Sequence, residues 1–206
     1  MKTSILSIAY FAPIQWYHKL THSDICIIDQ YEYFIKQTYR NRCNIFTANG
    51  VQSLSIPIEK NKAGKTIVKD IRISSHGNWR HQHWNALVSA YSESPFFEYY
   101  EDDIRPFFEK DWAFLFDFNF EITYMLCNLL GIEPKIILSD KYIESSNIDI
   151  NTIDYRNTIT PKSNFIDATF VPQKYYQVFR QKFPFISNLS ILDLLFNMGN
   201  EAILYL

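Results

Sequence analysis

The sequence predicts an α/β fold: a small, mostly parallel, Rossmann-like sheet opened by a βαβ unit, with an inserted β-hairpin and a helix-rich C-terminal half. Three observations carry that prediction. Two short apolar runs, Ile5–Tyr10 and Ile25–Ile28, flank a helical stretch. Asn49-Gly50 stands between two strand-like segments, and the longer helical periodicities begin only at Trp79.

Ile5–Tyr10 is bounded by the bend at Pro13, as a buried strand would be. Ile14–Leu20 can form a short helix with Trp16, Tyr17 and Leu20 near one face. Ile25-Cys26-Ile27-Ile28, flanked by Asp24 and Asp29, reads as a strand buried on both faces. Strand, helix and strand in that order imply a parallel pair. Tyr31–Arg42 is polar and aromatic and follows no period. Arg42–Ile58 reads as a hairpin, with Asn49-Gly50 supplying both positive-φ residues of a type I′ turn and Pro57 favouring an edge. A charged turn over Asn61–Lys65 leads to Thr66–Ile73, in which Ile67, Ile71 and Ile73 alternate.

Trp79–Tyr91 is predicted as a helix facing inward through Trp84, Leu87, Val88 and Tyr91. Ser94-Pro95 is an N-cap followed by a first helical residue for a helix over Phe96–Phe108, interrupted at Pro106. Asn119–Leu130 carries the i, i+3, i+4, i+7, i+8 stripe and ends at Gly131. Lys135–Ser139 is a return strand, and 140–160 a polar surface connection suited to a lid. Ser190 caps a helix to Met198, with Asp193 completing an S-x-x-D start.

The 206 residues, 47% apolar and 20% charged, suit one domain over 1–206 whose core needs no disulfide or metal. A net charge of −2 disfavours nucleic acid or anionic membrane as general partners. Cys26, Cys43 and Cys127 are odd in number and lack C-x-x-C spacing, which points to core thiols in a reducing compartment. No window nears the roughly 20 apolar residues of a membrane span. The N-terminal run is broken by Ser7 and Pro13, so a cytoplasmic protein is expected. The 17 Phe, 14 Tyr and 4 Trp are first of all core material. Neither a cofactor requirement nor the oligomeric state is legible in the sequence.

Several stretches together resemble the WbqC-like protein family. They are YFAPIQWYHKL, KQTYRNRC followed by ANG and LSIPI, HWNALVSAYSESPFFEYY, DFN with LLGI, and FISNLSILDLLFNMG. The resemblance runs in order across nearly the whole chain. It is closest to the subtype with an aromatic-aromatic-small-Pro start. Tyr10-Phe11-Ala12 stands where another subtype has His-Gln-Pro, so a role for an initial histidine does not carry over. The resemblance implies a place in bacterial surface polysaccharide (O-antigen-like) biosynthesis and, as reaction class, glycine transfer to an aminosugar. It supplies no catalytic residues.

Candidate chemistry comes from the residues themselves. Tyr10, Gln15, Trp16 and Tyr17 surround the first strand-to-helix bend, where open α/β sheets place ligands. Gln15-Trp16-Tyr17-His18 keeps only the last histidine of the HxGH box of class I nucleotidyl transfer. In Lys36-Gln37-Thr38-Tyr39-Arg40-Asn41-Arg42, the two arginines share a face if extended and suit a diphosphate, with Lys36, Gln37, Tyr39 and Asn41 beside them. Surface ion pairing is the plainer fate of such arginines. His76, His81 and His83 match no metal spacing, so no metal site is assigned. His83 suits a general base or a structural role, with Trp84 at its side. No G-x-S-x-G elbow, P-loop or G-x-G-x-x-G is present.

The expectation is an enzyme transferring an aminoacyl or acyl group to an aminosugar on a phosphate-bearing carrier. Arg40 and Arg42 would hold phosphate, His83 would move a proton, and Trp16, Tyr17 and Tyr39 would flank a ring. A non-catalytic sugar-nucleotide binder and a nucleotidyltransferase-like enzyme are the rival readings.

Overall fold

Strand β1 (Thr3–Leu6), helix α1 (Ile14–Thr21) and strand β2 (Ile25–Ile28) form the predicted βαβ unit, with β1 and β2 parallel. The computed structural model describes residues 1–59, 64–163 and 166–206. The expected charged turn at Asn61–Lys65 therefore lies largely outside the described residues. Two further short strands, β5 (Ile136–Leu138) and β6 (Thr152–Asp154), complete a four-stranded parallel sheet in the order β5-β2-β1-β6.

The register puts Ser4, Leu6, Cys26 and Ile28 on one face, and all four are buried. The Cys26 thiol donates to the Lys19 carbonyl there, so this is the face under α1. On the other face Ile5 is buried, but Ile25 and Ile27 are only half-buried. This corrects the reading of β2 as enclosed on both sides. Residues 139–151 must run from the β5 edge to the β6 edge, opposite in direction to the step from β1 to β2. Right-handed crossovers then place that segment on the face away from α1.

The hairpin is present as β3 (Arg42–Thr47) and β4 (Gly50–Ser55), in a separate antiparallel sheet. Its turn differs from the expected one. Thr47 pairs with Gly50, the loop is Ala48-Asn49, and only Gly50 has positive φ, at 98°. Thr47 replaces the missing geometry: its Oγ1 accepts from Asn49 N and donates to Gly50 O. Thr66–Ile73 is a 3₁₀ turn at Val68–Asp70 with single bridges on either side, because Val68 and Lys69 N–H groups bond Glu32 and Gln30.

Among the described residues five α-helices follow the hairpin: α2 (Trp79–Tyr91), α3 (Phe97–Ile104), α4 (Pro106–Glu109), α5 (Leu115–Leu130) and, after the last two strands, α6 (Ile191–Met198). The buried stripe of α2 is Trp79, His83, Leu87, Ala90 and Tyr91, leaving Trp84 and Val88 half-buried. Ser94 does not cap α3. The helix starts at Phe97, Ser94 N bonds Tyr91 O at the end of α2, and Phe96 N bonds Phe196 O. Helix α5 starts four residues before the expected Asn119, since Leu115, Phe116 and Phe118 already extend its buried stripe. Gly131 closes it in the left-handed region. Ser190 caps α6, its Oγ accepting from Leu192 N.

Candidate functional site

All four parallel strands end in polar side chains. Ser7 follows β1, Asp29 follows β2, Ser139 follows β5, and Asp154 ends β6 two residues before Arg156. This carboxyl edge is where open α/β sheets hold ligands. Asp29 Oδ1 accepts from Tyr31 N (3.0 Å) and Ser139 Oγ (2.9 Å), tying the ends of β2 and β5 together. Asp29 Oδ2 takes Arg156 Nη1. Arg156 also donates to Asp154 through Nε (3.0 Å) and Nη2 (2.6 Å), and to the Ile143 carbonyl (2.8 Å). Burial alone would lower the Arg156 pKa, but Asp154 and Asp29 outweigh it and hold the guanidinium charged.

A second buried pair joins the first. Arg40 grips Glu32 in two places, Nε to Oε1 at 2.8 Å and Nη2 to Oε2 at 2.5 Å. Its other contacts are Thr38 Oγ1 (3.2 Å) and the Arg156 carbonyl (3.4 Å), so four of its five N–H donors are engaged within the protein. Ser7 Oγ donates to Glu32 Oε2 at 3.1 Å and lies 3.2 Å from the Arg156 carbonyl. Burial raises the Glu32 carboxyl above its ordinary value, against the lowering effects of Arg40 and Ser7.

This network opens on a cleft of about 330 Å³ whose walls include Glu32, Tyr33, Lys65, Tyr142, Arg156 and Asn157. Tyr33 is 50% exposed and Tyr142 46%, with ring centroids 6.4 Å apart and planes at 37°. Lys65 Nζ lies 5.5 Å from the Tyr33 centroid, and Arg156 Cζ 5.2 Å from that of Tyr142. A larger recess of about 730 Å³ shares Phe34, Ile35 and Lys65 with the cleft and adds Lys36. Among the described residues, neither Lys36 nor Lys65 has a carboxylate partner.

The residues predicted for the site are dispersed. Lys36 reaches the recess, and Gln37 beside it is exposed at φ 61°. Arg40 underlies the cleft but is only 2% exposed and committed to Glu32. Arg42 heads β3 opposite Ser55 and is half-buried, so the two guanidiniums are not a matched pair facing a ligand. Asn41 Nδ2 bonds the Ile56 carbonyl, and Tyr39 is buried with its carbonyl on Tyr10 N.

Tyr10, Trp16 and Tyr17 are core rings; Trp16 Nε1 donates to Ser7 O (2.9 Å). Gln15 is fastened to Asn188 and Asp167. His83 is 5% exposed, its Nδ1 2.9 Å from Tyr10 Oη, and burial drops its pKa to about 4 despite a hydrogen bond to the Ser55 backbone. Trp84 packs on Phe97 and Phe108. The structure brings neither His83 nor Trp84 to the cleft.

Other chemistries find less support. His81 is exposed and His83 buried, as residues two apart on a helix must be. Among the described residues no three His, Cys, Asp or Glu side chains are placed to hold a metal. Burial pushes Cys26 to about 11 and Cys127 to about 12, and Cys43 well above the usual thiol range. None is a thiolate at neutrality. No helix among the described residues is long and apolar enough to cross a membrane.

Asp29 could have been found from its place at the end of an apolar strand. Glu32, Tyr33, Tyr142 and Arg156 carried no periodic or motif signal.

Comparison with known proteins agrees with the order of motifs along the chain. A curated protein of Mycobacterium tuberculosis (strain ATCC 25618 / H37Rv), the uncharacterized protein Rv1507c, is 26% identical over 203 residues, spanning 89% of this chain and 87% of its own. No solved structure matches. The sequence profile of the WbqC-like protein family matches residues 9–159 and 150–205, which include the cleft-lining residues Glu32, Tyr33, Tyr142 and Arg156 and the capped C-terminal helix. The chain belongs to the WbqC-like protein family.

Proposed function

We propose that the protein is a cytoplasmic enzyme of bacterial surface polysaccharide assembly that transfers an aminoacyl or acyl group to an aminosugar on a phosphate-bearing carrier. The reaction class comes from the family resemblance. The location comes from one observation: four parallel strands deliver Ser7, Asp29, Ser139 and Arg156 to one edge, beside a cleft walled by two half-exposed tyrosines. Tyrosine faces suit the apolar faces of a sugar ring, and their hydroxyls suit its rim. Lys36 and Lys65 are better placed for a phosphate than Arg40, whose charge is already met by Glu32. Trp16, Tyr17 and His83 belong to the scaffold in this reading.

Incubation with an aminosugar nucleotide, glycine and ATP, followed by mass spectrometry, tests the proposal. A gain of one aminoacyl unit on the sugar is expected. Binding without turnover would support a non-catalytic sugar-nucleotide partner protein instead, and pyrophosphate release without acylation a nucleotidyltransferase.

A further inference from the structure

The buried network at the sheet edge is not charge-balanced. Asp29, Glu32 and Asp154 are joined to two guanidiniums, Arg40 and Arg156, leaving one negative charge in surplus when all are ionised. Glu32 and Asp29 have side chains 5% and 0% exposed, against 19% for Asp154, so water offsets that surplus only in part. Lys65 supplies one cation at the network's opening; once a ligand phosphate takes that charge, a ligand ammonium against Glu32 would offset the surplus. The opening is the cleft between Tyr33 and Tyr142, rings whose faces already attract Lys65 and Arg156. Glu32 also retains acceptor capacity. Oε2 accepts from both Arg40 and Ser7, whereas Oε1 accepts from Arg40 Nε alone and keeps a lone pair.

We propose that the cleft recognises its acceptor sugar by the amine, which donates as an ammonium to Glu32 Oε1 between Tyr33 and Tyr142, and that Glu32 then takes its proton. This rests on the transfer reaction proposed above. The donor is an activated ester or thioester. Glu32 removes one proton from the ammonium, and the freed nitrogen lone pair attacks the donor carbonyl carbon. The C–N bond forms, the carbonyl electrons shift to oxygen, and their return expels the alcohol or thiol with its bonding pair. The nitrogen's second proton goes to that leaving group, and Glu32 passes its own to water. Products are the amide, the alcohol or thiol, and one proton. Burial raises the proton affinity of Glu32 above that of an ordinary carboxylate, which favours the transfer.

Titration calorimetry with glucosamine 1-phosphate, N-acetylglucosamine 1-phosphate and glucose 1-phosphate tests the inference. The wild type is expected to bind the amine about tenfold more tightly than either neutral sugar, as one charge-assisted hydrogen bond confers. Glu32→Gln should bind all three alike, with its folding checked by thermal melting. The wild-type ranking carries the test even if that variant is unstable. Lys36→Ala with Lys65→Ala should weaken all three together. Equal binding of the three sugars by the wild type, lost in the lysine variant, would overturn amine recognition and leave the site itself standing. Binding of none would overturn both.

Discussion

Glu32 and Asp193 are both largely buried carboxylates, and they are stabilised by different partners. Glu32 faces the bidentate guanidinium of Arg40, with Arg156 a step away, and its surroundings open onto a cleft. Asp193, in the first turn of α6 and 1% exposed, meets no cation among the described residues. It accepts from Tyr91 Oη (3.0 Å), Tyr175 Oη (2.6 Å) and Gln177 Nε2 (3.0 Å). Burial outweighs those three donors and lifts its pKa to about 6. Its role is mechanical: it fastens Tyr175 and Gln177, from a stretch without helix or strand, to α2 and α6. It was expected to complete a capping box, but Ser190 N is taken by Asn44 O and the carboxylate turns to the tyrosines instead. Neutral donors suffice where the carboxylate only holds packing together. At Glu32 and Asp29 fixed opposite charges appear where the network borders the cleft.

The largest effect that could break this comparison is expected from Arg40→Met. It leaves Glu32 buried without its cation, at about 3–5 kcal/mol. For a chain of this size that lowers Tm by roughly ten degrees. A loss of only a few tenths of a kcal/mol in urea unfolding would show that the pair is not what holds the sheet edge.

Asp193→Asn comes next. A carboxyl that binds its proton more tightly folded (about 6) than at its ordinary value of 3.8 contributes stability fully present below 3.8 and lost as pH rises through 6. The wild type should therefore lose on the order of 2–3 kcal/mol relative to the variant between pH 4 and 7.5. His18 and His83 act oppositely in this window. Burial lowers each from 6.5 to about 4, so acid protonates the unfolded chain first and costs stability. They are common to both proteins and cancel in the difference. Parallel pH curves for the two would remove Asp193 as the titrating group.

Ser190→Ala, losing the α6 cap, should cost about 1 kcal/mol in denaturant midpoint. Tyr142→Ala should cost less than that, since the ring is half exposed. It should still abolish most sugar phosphate binding in calorimetry. Retained binding would detach the ligand from the cleft.

The same contrast explains what could be read from the sequence. The βαβ unit was legible because Ile25–Ile28 and the Pro13 bend are local signals, and α6 because Ser190 and Gly199 punctuate it. The strand β6 was not. Its three residues, Thr152-Ile153-Asp154, lie in a polar stretch that resembles a connection, and only pairing with β1 makes them a strand. Arg156 was hidden with it. Arg40 was noticed for its charge, but its partner Glu32 is set by how the irregular segment 31–41 folds back, which no period encodes. Ser94-Pro95 is a strong local start signal that tertiary contacts overrode, through the bond from Phe96 N to Phe196 O.

In the proposed reading, ligand binds at the carboxyl edge of the sheet, in the tyrosine cleft. Backbone and side-chain NMR shifts recorded during titration with glucosamine 1-phosphate test it most directly. Changes centred on Tyr33, Lys65, Tyr142 and Asn157, with His83 and Trp84 unmoved, are the predicted result. Changes centred on Arg42, His83 and Trp84, with both cleft tyrosines silent, would contradict it.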